Sequence, residues 1–388
     1  MTRTVTGLRR DQVTYGTGAV ARLGELVRHH GAQRVLLVTG RDSFEASGAS
    51  ACLPGIDADV QRWCEFRPNT DAADLIDGLA IVRDFDPDLI VGIGGGSPMD
   101  MAKLLIAYDT IDPLETNSLH DAIMTGAKVE QRSRGLMLIP TTSGSGSEAT
   151  HFSVVYIGED KYSIAGPAMR PDAVILDPLL ALSGSNHQRA TSGVDALCQS
   201  IESLWAVAAT DESRRYARHG LALVSTHIRE FVNQANERAA RAMCIGSHLA
   251  GRAIDISKTT AAHALSYGIT KRFGVDHGNA VALTLGAFID EHHTVLSTNQ
   301  LDRLQADAAA LRASLHVIGD TIGSPANGRS WFRSLLADIS LMATLNEAGI
   351  RNPQSVTQLA ESVNVERLGN NPVSLDQSQL KALLVVLI

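Results

Sequence analysis

Several common classes of protein leave marks that this chain of 388 residues does not carry. Its four cysteines, Cys52, Cys64, Cys198 and Cys244, are scattered, with no CxxC pair and no disulfide-like spacing, which points to a reducing cytoplasm. Positive charge is in deficit: the formal net charge is -8, and short basic clusters such as Arg214-Arg215 are flanked by acids. A nucleic-acid binder normally shows a basic patch, so that class is set aside. Long apolar runs are missing too. A bilayer-spanning helix needs about 20 apolar residues, and the apolar end Leu383–Ile388 is far shorter. Arg3, Arg9 and Arg10 open the chain, yet no apolar stretch follows them to make a secretory signal. There is no internal repeat, no GxGxxG fingerprint and no P-loop.

What is present suits a globular enzyme: 44% hydrophobic and 20% charged residues, in a chain longer than one core usually organises. Up to about residue 180, short apolar runs alternate with amphipathic stretches. Arg34–Thr39, Val60–Phe66, Leu89–Ile93, Leu136–Pro140 and Ala173–Leu176 read as buried strands, with helical stretches such as Ala19–Arg28 and Asp71–Arg83 between them. Such alternation predicts βαβ units, a doubly wound parallel sheet, and ligands at the carboxyl ends of its strands. From about residue 181 the strand signals stop. Helical patterns follow over His187–Ala208, Asp211–Asn236, Ala239–Ile256, Val281–Phe288 and Leu301–Leu315. The expected architecture is α/β plus all-α, with a Rossmann-like dinucleotide-binding domain over residues 1–180 and a helical domain over residues 181–388.

Two segments of the helical half carry metal-ligand chemistry. Asp195-Ala-Leu-Cys-Gln199 puts a carboxylate and an amide four residues apart, on one face of a helix. His263 and His277 supply two imidazoles on either side of a glycine-broken loop, among small residues (Ala261, Ala262, Ala264, Gly274, Gly278) that let an ion approach. Oxygen and nitrogen donors of this kind suit a divalent ion such as Fe²⁺ or Zn²⁺. Among the thirteen histidines, His29, His30, His219, His227, His292 and His293 have no partner spacing and read as structural. Cys198 falls off the Asp195/Gln199 face and reads as a small buried hydrophobe.

In the first half, Gly94-Gly95-Gly96-Ser97-Pro98-Met99-Asp100 follows a strand and opens a helix. Glycines admit a phosphate to the backbone, and the helix N-terminus offers N–H groups and a positive dipole end. A second loop, Pro140–Glu148, has hydroxyls and amides suited to nicotinamide ribose, phosphate or a substrate oxygen. A dinucleotide beside a metal implies metal-assisted hydride transfer.

These segments are GGGSPMDMAK at Gly94–Lys103, PTTSGSGSE at Pro140–Glu148, PDAVILDP at Pro171–Pro178, GVDALCQSIE at Gly193–Glu202, and the His263/His277 pair. Together, and in this order along essentially the whole chain, they resemble the iron-containing, group III alcohol dehydrogenase family. The resemblance implies NADPH or NADH and a divalent metal held in a cleft between the Rossmann-like domain and a helical metal-binding and substrate domain. It also implies a small aldehyde or alcohol substrate and a cytoplasmic homodimer, without nucleic acid or membrane. By this likeness Asp195, His263 and His277 are metal ligands, and Gln199 is a fourth donor or the partner of a bound water. Gly95, Gly96, Ser97 and Asp100 surround the pyrophosphate. Thr141, Thr142 and Ser145 line the nicotinamide side with Lys161 nearby, and Asn69 reaches the adenosine or ribose.

The chain departs from the family pattern where Gln199 and Tyr267 replace histidines. An amide oxygen is a weaker, neutral donor than imidazole. Tyr267, one helical turn after His263, is either a wall residue or a proton donor to the developing alkoxide. As a donor, its hydroxyl would have to be lowered from about 10 by the metal. Gln199, the Ser266-Tyr267 pair and the segment Asn364–Pro372 resemble one branch of the family, the phosphonoacetaldehyde reductases. That branch reduces phosphonoacetaldehyde to 2-hydroxyethylphosphonate, and a dianion requires cations. Lys271 and Arg272, read as lying on the loop between His263 and His277, are the candidates, with surface solubility as the alternative. At the end of the strand Arg34–Thr39, Gly40 leaves room for a 2′-phosphate, Arg41 adds charge and Ser43 a hydroxyl, while Asp42 works against it. Rival readings are a general alcohol dehydrogenase or lactaldehyde-type reductase, a metal-independent reductase, a lyase resembling dehydroquinate synthase, and a non-catalytic relative.

Overall fold

The computed structural model describes residues 12–111, 116–126, 129–158, 160–363 and 368–388. Arg3, Arg9, Arg10 and residues 364–367 of the tail segment lie outside these. The chain divides into two compact units at the Gly184–Ser185 junction.

The first unit is built on a six-stranded, all-parallel sheet. Along the chain come β1 (Val13–Tyr15), α1 (Leu23–His30), β2 (Arg34–Thr39), α2 (Ser43–Ala46), β3 (Asp59–Trp63) and α3 (Ala72–Phe85). Then follow β4 (Leu89–Gly94), α4 (Gly96–Ala107), α5 (Thr116–Thr125), β5 (Gly135–Pro140), β6 (Phe152–Ile157), β7 (Asp160–Ala165) and β8 (Ala173–Leu176). The spatial order is β1-β8-β5-β4-β2-β3, and β6 and β7 form a separate antiparallel hairpin. Side chains alternate across a strand, and here both faces are apolar. Leu36, Val38, Ile90, Leu136 and Leu138 pack with Leu75, Leu79, Met101 and Leu105 on one face. Val35, Leu37, Leu89, Val91, Met137 and Ile139 pack with Leu23, Val27 and Phe44 on the other. This is why the strands read as continuous apolar runs. The register sets Thr39 beside Ile93 and Gly94 beside Pro140, so β2, β4 and β5 end level with one another.

Some boundaries shift from the sequence expectation. The helix expected from Ala19 begins as a 3₁₀ turn, Ala19–Arg22, and the strand expected to reach Phe66 stops at Trp63. The strand β7 had no apolar signal because it is rich in polar residues and largely half-exposed.

The second unit is helical among its described residues: α6 (Asn186–Trp205), α7 (Asp211–Gln234), α8 (Glu237–Ser257), α9 (Ala261–Phe273) and α10 (His277–Ser297) are followed by α11 (Ala308–Ile322), α12 (Gly328–Asp338), α13 (Pro353–Glu361) and α14 (Gln377–Val385). Polar caps set where many of these helices start. Ser185, Thr210, Asn236, Asp307, Asn352 and Asp376 each accept a first-turn backbone N–H, at about 1 kcal/mol apiece. The cap at Asp307 explains why the expected helix Leu301–Leu315 splits into a 3₁₀ turn at Leu301–Arg303 and α11. Among the described residues no helix is long and apolar enough to cross a membrane.

Candidate functional site

From Gly193 to Trp205 every residue of α6 is buried, three strongly polar ones included. Asp195, Gln199 and Glu202 are 7%, 4% and 0% exposed. Buried polar groups are costly unless partnered, and at i, i+4 and i+7 these three share one helical face. Their partners come from α9 and α10.

His263, in the first turn of α9, directs Nε2 at Asp195 Oδ1, 3.4 Å away. Its Nδ1 contacts Glu202 Oε2. Glu202 also accepts from Thr260 Oγ1 at 2.6 Å and from the backbone N of Ala262 at 3.0 Å. An ionised carboxylate only accepts, so Nδ1 carries a proton and Nε2 is the ring nitrogen turned to Asp195. Trp205 extends the network by donating Nε1–H to Thr260 Oγ1 at 3.1 Å.

His277 is set in the same way. Ser266 Oγ donates to His263 O at 2.8 Å and lies 3.2 Å from His277 Nδ1. With its single proton committed, the hydroxyl accepts from Nδ1–H. The Nε2 of His277 then faces Asp195 Oδ1 at 3.9 Å. This approach depends on Gly278, where an added Cβ would come within 2.0 Å of Thr191 O and 2.9 Å of Asp195 Cβ. The side chain of His277 is 40% exposed, against 5% for His263, so the cluster opens to solvent on that side. The Tyr267 ring runs parallel to that of His277, with centroids 6.1 Å apart.

The donor atoms of Asp195, His263 and His277 all lie within 4.8 Å of one another. Two ligands each about 2.1 Å from a tetrahedral ion sit about 3.4 Å apart, so the set fits a single divalent cation after small adjustments. The buried Nε2 of His263 makes no hydrogen bond, as expected of a ligand atom. Electrostatics agree. Burial opposes charge on His263, but Glu202 and Asp195 outweigh it and push its pKa up to about 10. Burial would likewise raise the Glu202 carboxyl, yet His263 and Thr260 hold it below the usual range. The pocket is therefore built to hold positive charge. Cys198, whose thiol burial pushes well above its ordinary value, with Asp195 and Glu202 adding to the rise, stays protonated.

Gln199 donates Nε2–H to Asp195 Oδ2 at 2.9 Å, so its amide braces the carboxylate, while its buried Oε1 has no hydrogen-bond partner. One expectation needs correction. Lys271 and Arg272 are not on a loop: α9 runs to Phe273, where Gly274 caps it in the left-handed conformation. At about 100° per residue, Arg272 lies half a turn round from His263, whereas Lys271 is only about 40° from Tyr267. Both are exposed in the last turn, where cations complement the helix dipole.

The first unit holds a different kind of site. The turn after β4 meets the loop after β5. Thr141 N donates to Gly94 O at 2.8 Å, an added Cβ at Gly95 would lie 3.5 Å from Thr142 Cγ2, and one at Gly96 would lie 3.4 Å from Ser145 Cβ. At Gly94 (φ 157°) a Cβ would meet Pro98 Cγ at 2.5 Å. Gly95 precedes α4 without a side-chain cap, so a bare helix N-terminus faces a cradle that side chains would fill, which fits a dinucleotide pyrophosphate. Asn69, in the left-handed region at φ 64°, donates its backbone N–H to Ser97 Oγ at 3.1 Å.

Asp100, expected beside the pyrophosphate, stands in the early part of α4. Its carboxylate accepts from Ser147 Oγ at 2.5 Å and from Val154 N at 3.2 Å, tying the 147–154 segment to α4. Burial pushes its carboxyl upward, with Lys103, Ser147 and Lys161 opposing. Lys161, on β7, has its Nζ 5.9 Å over the Tyr156 ring. The sequence reading missed Lys103, fully buried and bonded to Thr150 Oγ1 at 2.8 Å and Phe152 O at 2.9 Å. It missed Glu202 and Ser266 too. The i+7 spacing from Asp195 was the available signal for Glu202. The tail is a brace: Asn370 Nδ2 donates to Ser257 O at 2.8 Å and Thr259 O at 3.0 Å, just before α9.

A family model for iron-containing alcohol dehydrogenase matches residues 11–178, and a model for the C-terminal part of the Fe-containing alcohol dehydrogenase family matches residues 189–387. Phosphonoacetaldehyde reductase of Streptomyces viridochromogenes is 31% identical over 311 residues, 78% of this chain and 77% of that protein. Long-chain-alcohol dehydrogenase 1 of Geobacillus thermodenitrificans is 27% identical over 380 residues, 95% of this chain and 93% of that protein. Among solved structures, sulfoacetaldehyde reductase from Bifidobacterium kashiwanohense in complex with NAD+ superposes with a TM-score of 0.85 at 26% identity, covering 97% of this chain and 96% of that one.

Proposed function

The chain belongs to the iron-containing alcohol dehydrogenase family, and we propose that it reduces phosphonoacetaldehyde to 2-hydroxyethylphosphonate with NAD(P)H. At the coarser level it is an NAD(P)-dependent oxidoreductase of aldehydes and alcohols. The observation that carries the proposal is the convergence of Asp195, His263 and His277 donors within 4.8 Å. The phosphonate is supported by two relatives whose names give a two-carbon aldehyde bearing a terminal oxyanion, one a phosphonate and the other a sulfonate.

A bound divalent cation supplies Lewis-acid polarisation of the carbonyl oxygen, and a bound reduced nicotinamide supplies the hydride. The protein's part is preorganisation. Glu202 and Ser266 hold the Nδ1 protons of His263 and His277 and leave both Nε2 atoms aimed at one point beside Asp195 Oδ1. Gln199 keeps Asp195 turned toward that point through Oδ2. Tyr267, beside His277, gives the product oxygen its proton. The balance is aldehyde, hydride and one proton to primary alcohol. Lys271, on the same side of α9 as Tyr267, is the cation assigned to the phosphonate.

The test is oxidation of NADPH and NADH with phosphonoacetaldehyde, propionaldehyde and lactaldehyde, with and without added Fe²⁺ or Zn²⁺. The proposal expects metal-dependent turnover with the highest kcat/KM on the phosphonate. A clear preference for the uncharged aldehydes would remove the substrate and leave the family standing.

A further inference from the structure

The sheet order bears on which dinucleotide is used, given the reading above that the protein binds one. In an open parallel sheet the adenosine ribose is read at the carboxyl end of the strand beside the one that carries the glycine turn. Here β4 carries the turn, β2 is its neighbour and β3 lies outside β2. The residue directly after β2 is Gly40, so the first position past the strand carries no carboxylate, and the nearest in sequence is Asp42. A Cβ at Gly40 would meet Ser43 Oγ at 2.1 Å, so a side chain there would have to turn the serine hydroxyl aside. The same Cβ position lies 4.0 Å from Pro98 Cγ, so this strand end adjoins the glycine turn itself.

A side chain from the outer strand covers that end. Arg62 of β3 donates Nε–H to Thr39 Oγ1 at 2.8 Å, and Nη2–H to Gly40 O at 3.1 Å and Arg41 O at 2.7 Å. Its guanidinium carbon sits 4.8 Å above the Phe44 ring. Every one of these acceptors is a neutral oxygen. Aromatic stacking and neutral acceptors orient a guanidinium without cancelling its charge. Nη1 has no acceptor among the described residues and remains available to an anion. Of the nearby carboxylates, Glu65 is turned onto Cys64, 3.5 Å from both its N and its Sγ.

We propose that Arg62 reads the 2′-phosphate of NADPH, making the protein selective for the phosphorylated dinucleotide. The cation is pre-positioned at the strand end where NAD-type sites place an acid, and it arrives from β3, not from the β2–α2 loop that the sequence had singled out.

Calorimetric titration with 2′,5′-ADP and 5′-ADP tests this without turnover. Wild type should bind 2′,5′-ADP about tenfold or more tighter than 5′-ADP, as a charge-assisted contact to phosphate allows. Arg62→Gln should remove most of that ratio while 5′-ADP affinity stays within about twofold, and Arg62→Lys should retain part of it as a point charge. An unchanged ratio in Arg62→Gln, or loss of the ratio in Arg41→Gln alone, would overturn the assignment. Equal weakening of both nucleotides would reduce Arg62 to a brace for the end of β2 and overturn it too. Wild type binding 5′-ADP as well as 2′,5′-ADP removes the selectivity and spares the dinucleotide reading. Wild type binding neither would bring down that reading as well.

Discussion

The metal cluster of the helical unit and the glycine cradle of the sheet unit are built on opposite plans. The first is made of what side chains add. Asp195, His263 and His277 converge among buried groups, and each imidazole is held by a second residue, Glu202 or Ser266. The second is made of what side chains leave out. Gly94, Gly95 and Gly96 clear a helix N-terminus, and Asp100 and Lys103 tie down the 147–154 segment. A side-chain site fails when a donor is removed, a backbone site when an atom is added.

Removing a donor gives the largest effect. His277→Ala should lower kcat/KM by about 10³-fold, because polarising a carbonyl oxygen is worth several kcal/mol. Assay with saturating metal checks it, and near-wild-type turnover would dissolve the contrast. Next comes the support of a donor. Glu202→Gln should weaken divalent metal binding about 10- to 100-fold, the usual cost of losing an outer-shell partner. Dialysis against a chelating dye measures this, and unchanged affinity would mean Glu202 only fills space.

Two added methyls sharpen the comparison. Gly278→Ala drives Cβ into Thr191 O and should cost about 2 kcal/mol of stability, read by denaturant midpoint, together with metal binding. Gly96→Ala meets only ordinary contact at 3.4 Å from Ser145 Cβ. It should leave the midpoint nearly unchanged and raise the dinucleotide KM about tenfold, equivalent to about 1.4 kcal/mol. If both variants lost stability equally, the cradle would be a packing feature and not a ligand site.

A pH slope comes last. His292, beside Trp205 and Asn371, has its pKa pushed down to about 3 by burial, with Arg303 adding to the shift. The unfolded chain binds its proton near pH 6.5 and the folded one does not. Stability should therefore fall as pH drops from about 6.5 toward 3, by up to about 1.4 kcal/mol per unit from this one group. Denaturation at pH 7 and pH 5 measures the slope, and His292→Gln should flatten it. An unaltered slope would place the acid sensitivity elsewhere.

Legibility in the sequence also divided along these lines. The sheet unit could be read from local signals, because two apolar faces produce unbroken apolar strands and a glycine run after β4 has few other uses. Its hairpin strand β7, with polar residues facing half-exposed surroundings, gave no such signal. In the helical unit the donors stood out by type and spacing, but their support did not. Glu202 meets His263 across sixty-one residues of chain, a partnership that only tertiary packing creates. Lys271 and Arg272 belong to α9 and not to a loop, because Gly274 closes that helix as a left-handed cap only after them. The brace that Gln199 Nε2–H gives Asp195 was likewise invisible, because a sequence does not show which end of an amide meets a neighbouring carboxylate.

The most direct measurement is cobalt(II) titration of the purified apoprotein, followed by visible absorption and calorimetry. One equivalent should bind to wild type with the absorption of a nitrogen–oxygen coordinated ion, and Asp195→Asn, His263→Ala and His277→Ala should each abolish that band. No binding to wild type, or an unchanged band in all three variants, would contradict the assignment of those side chains to a single cation.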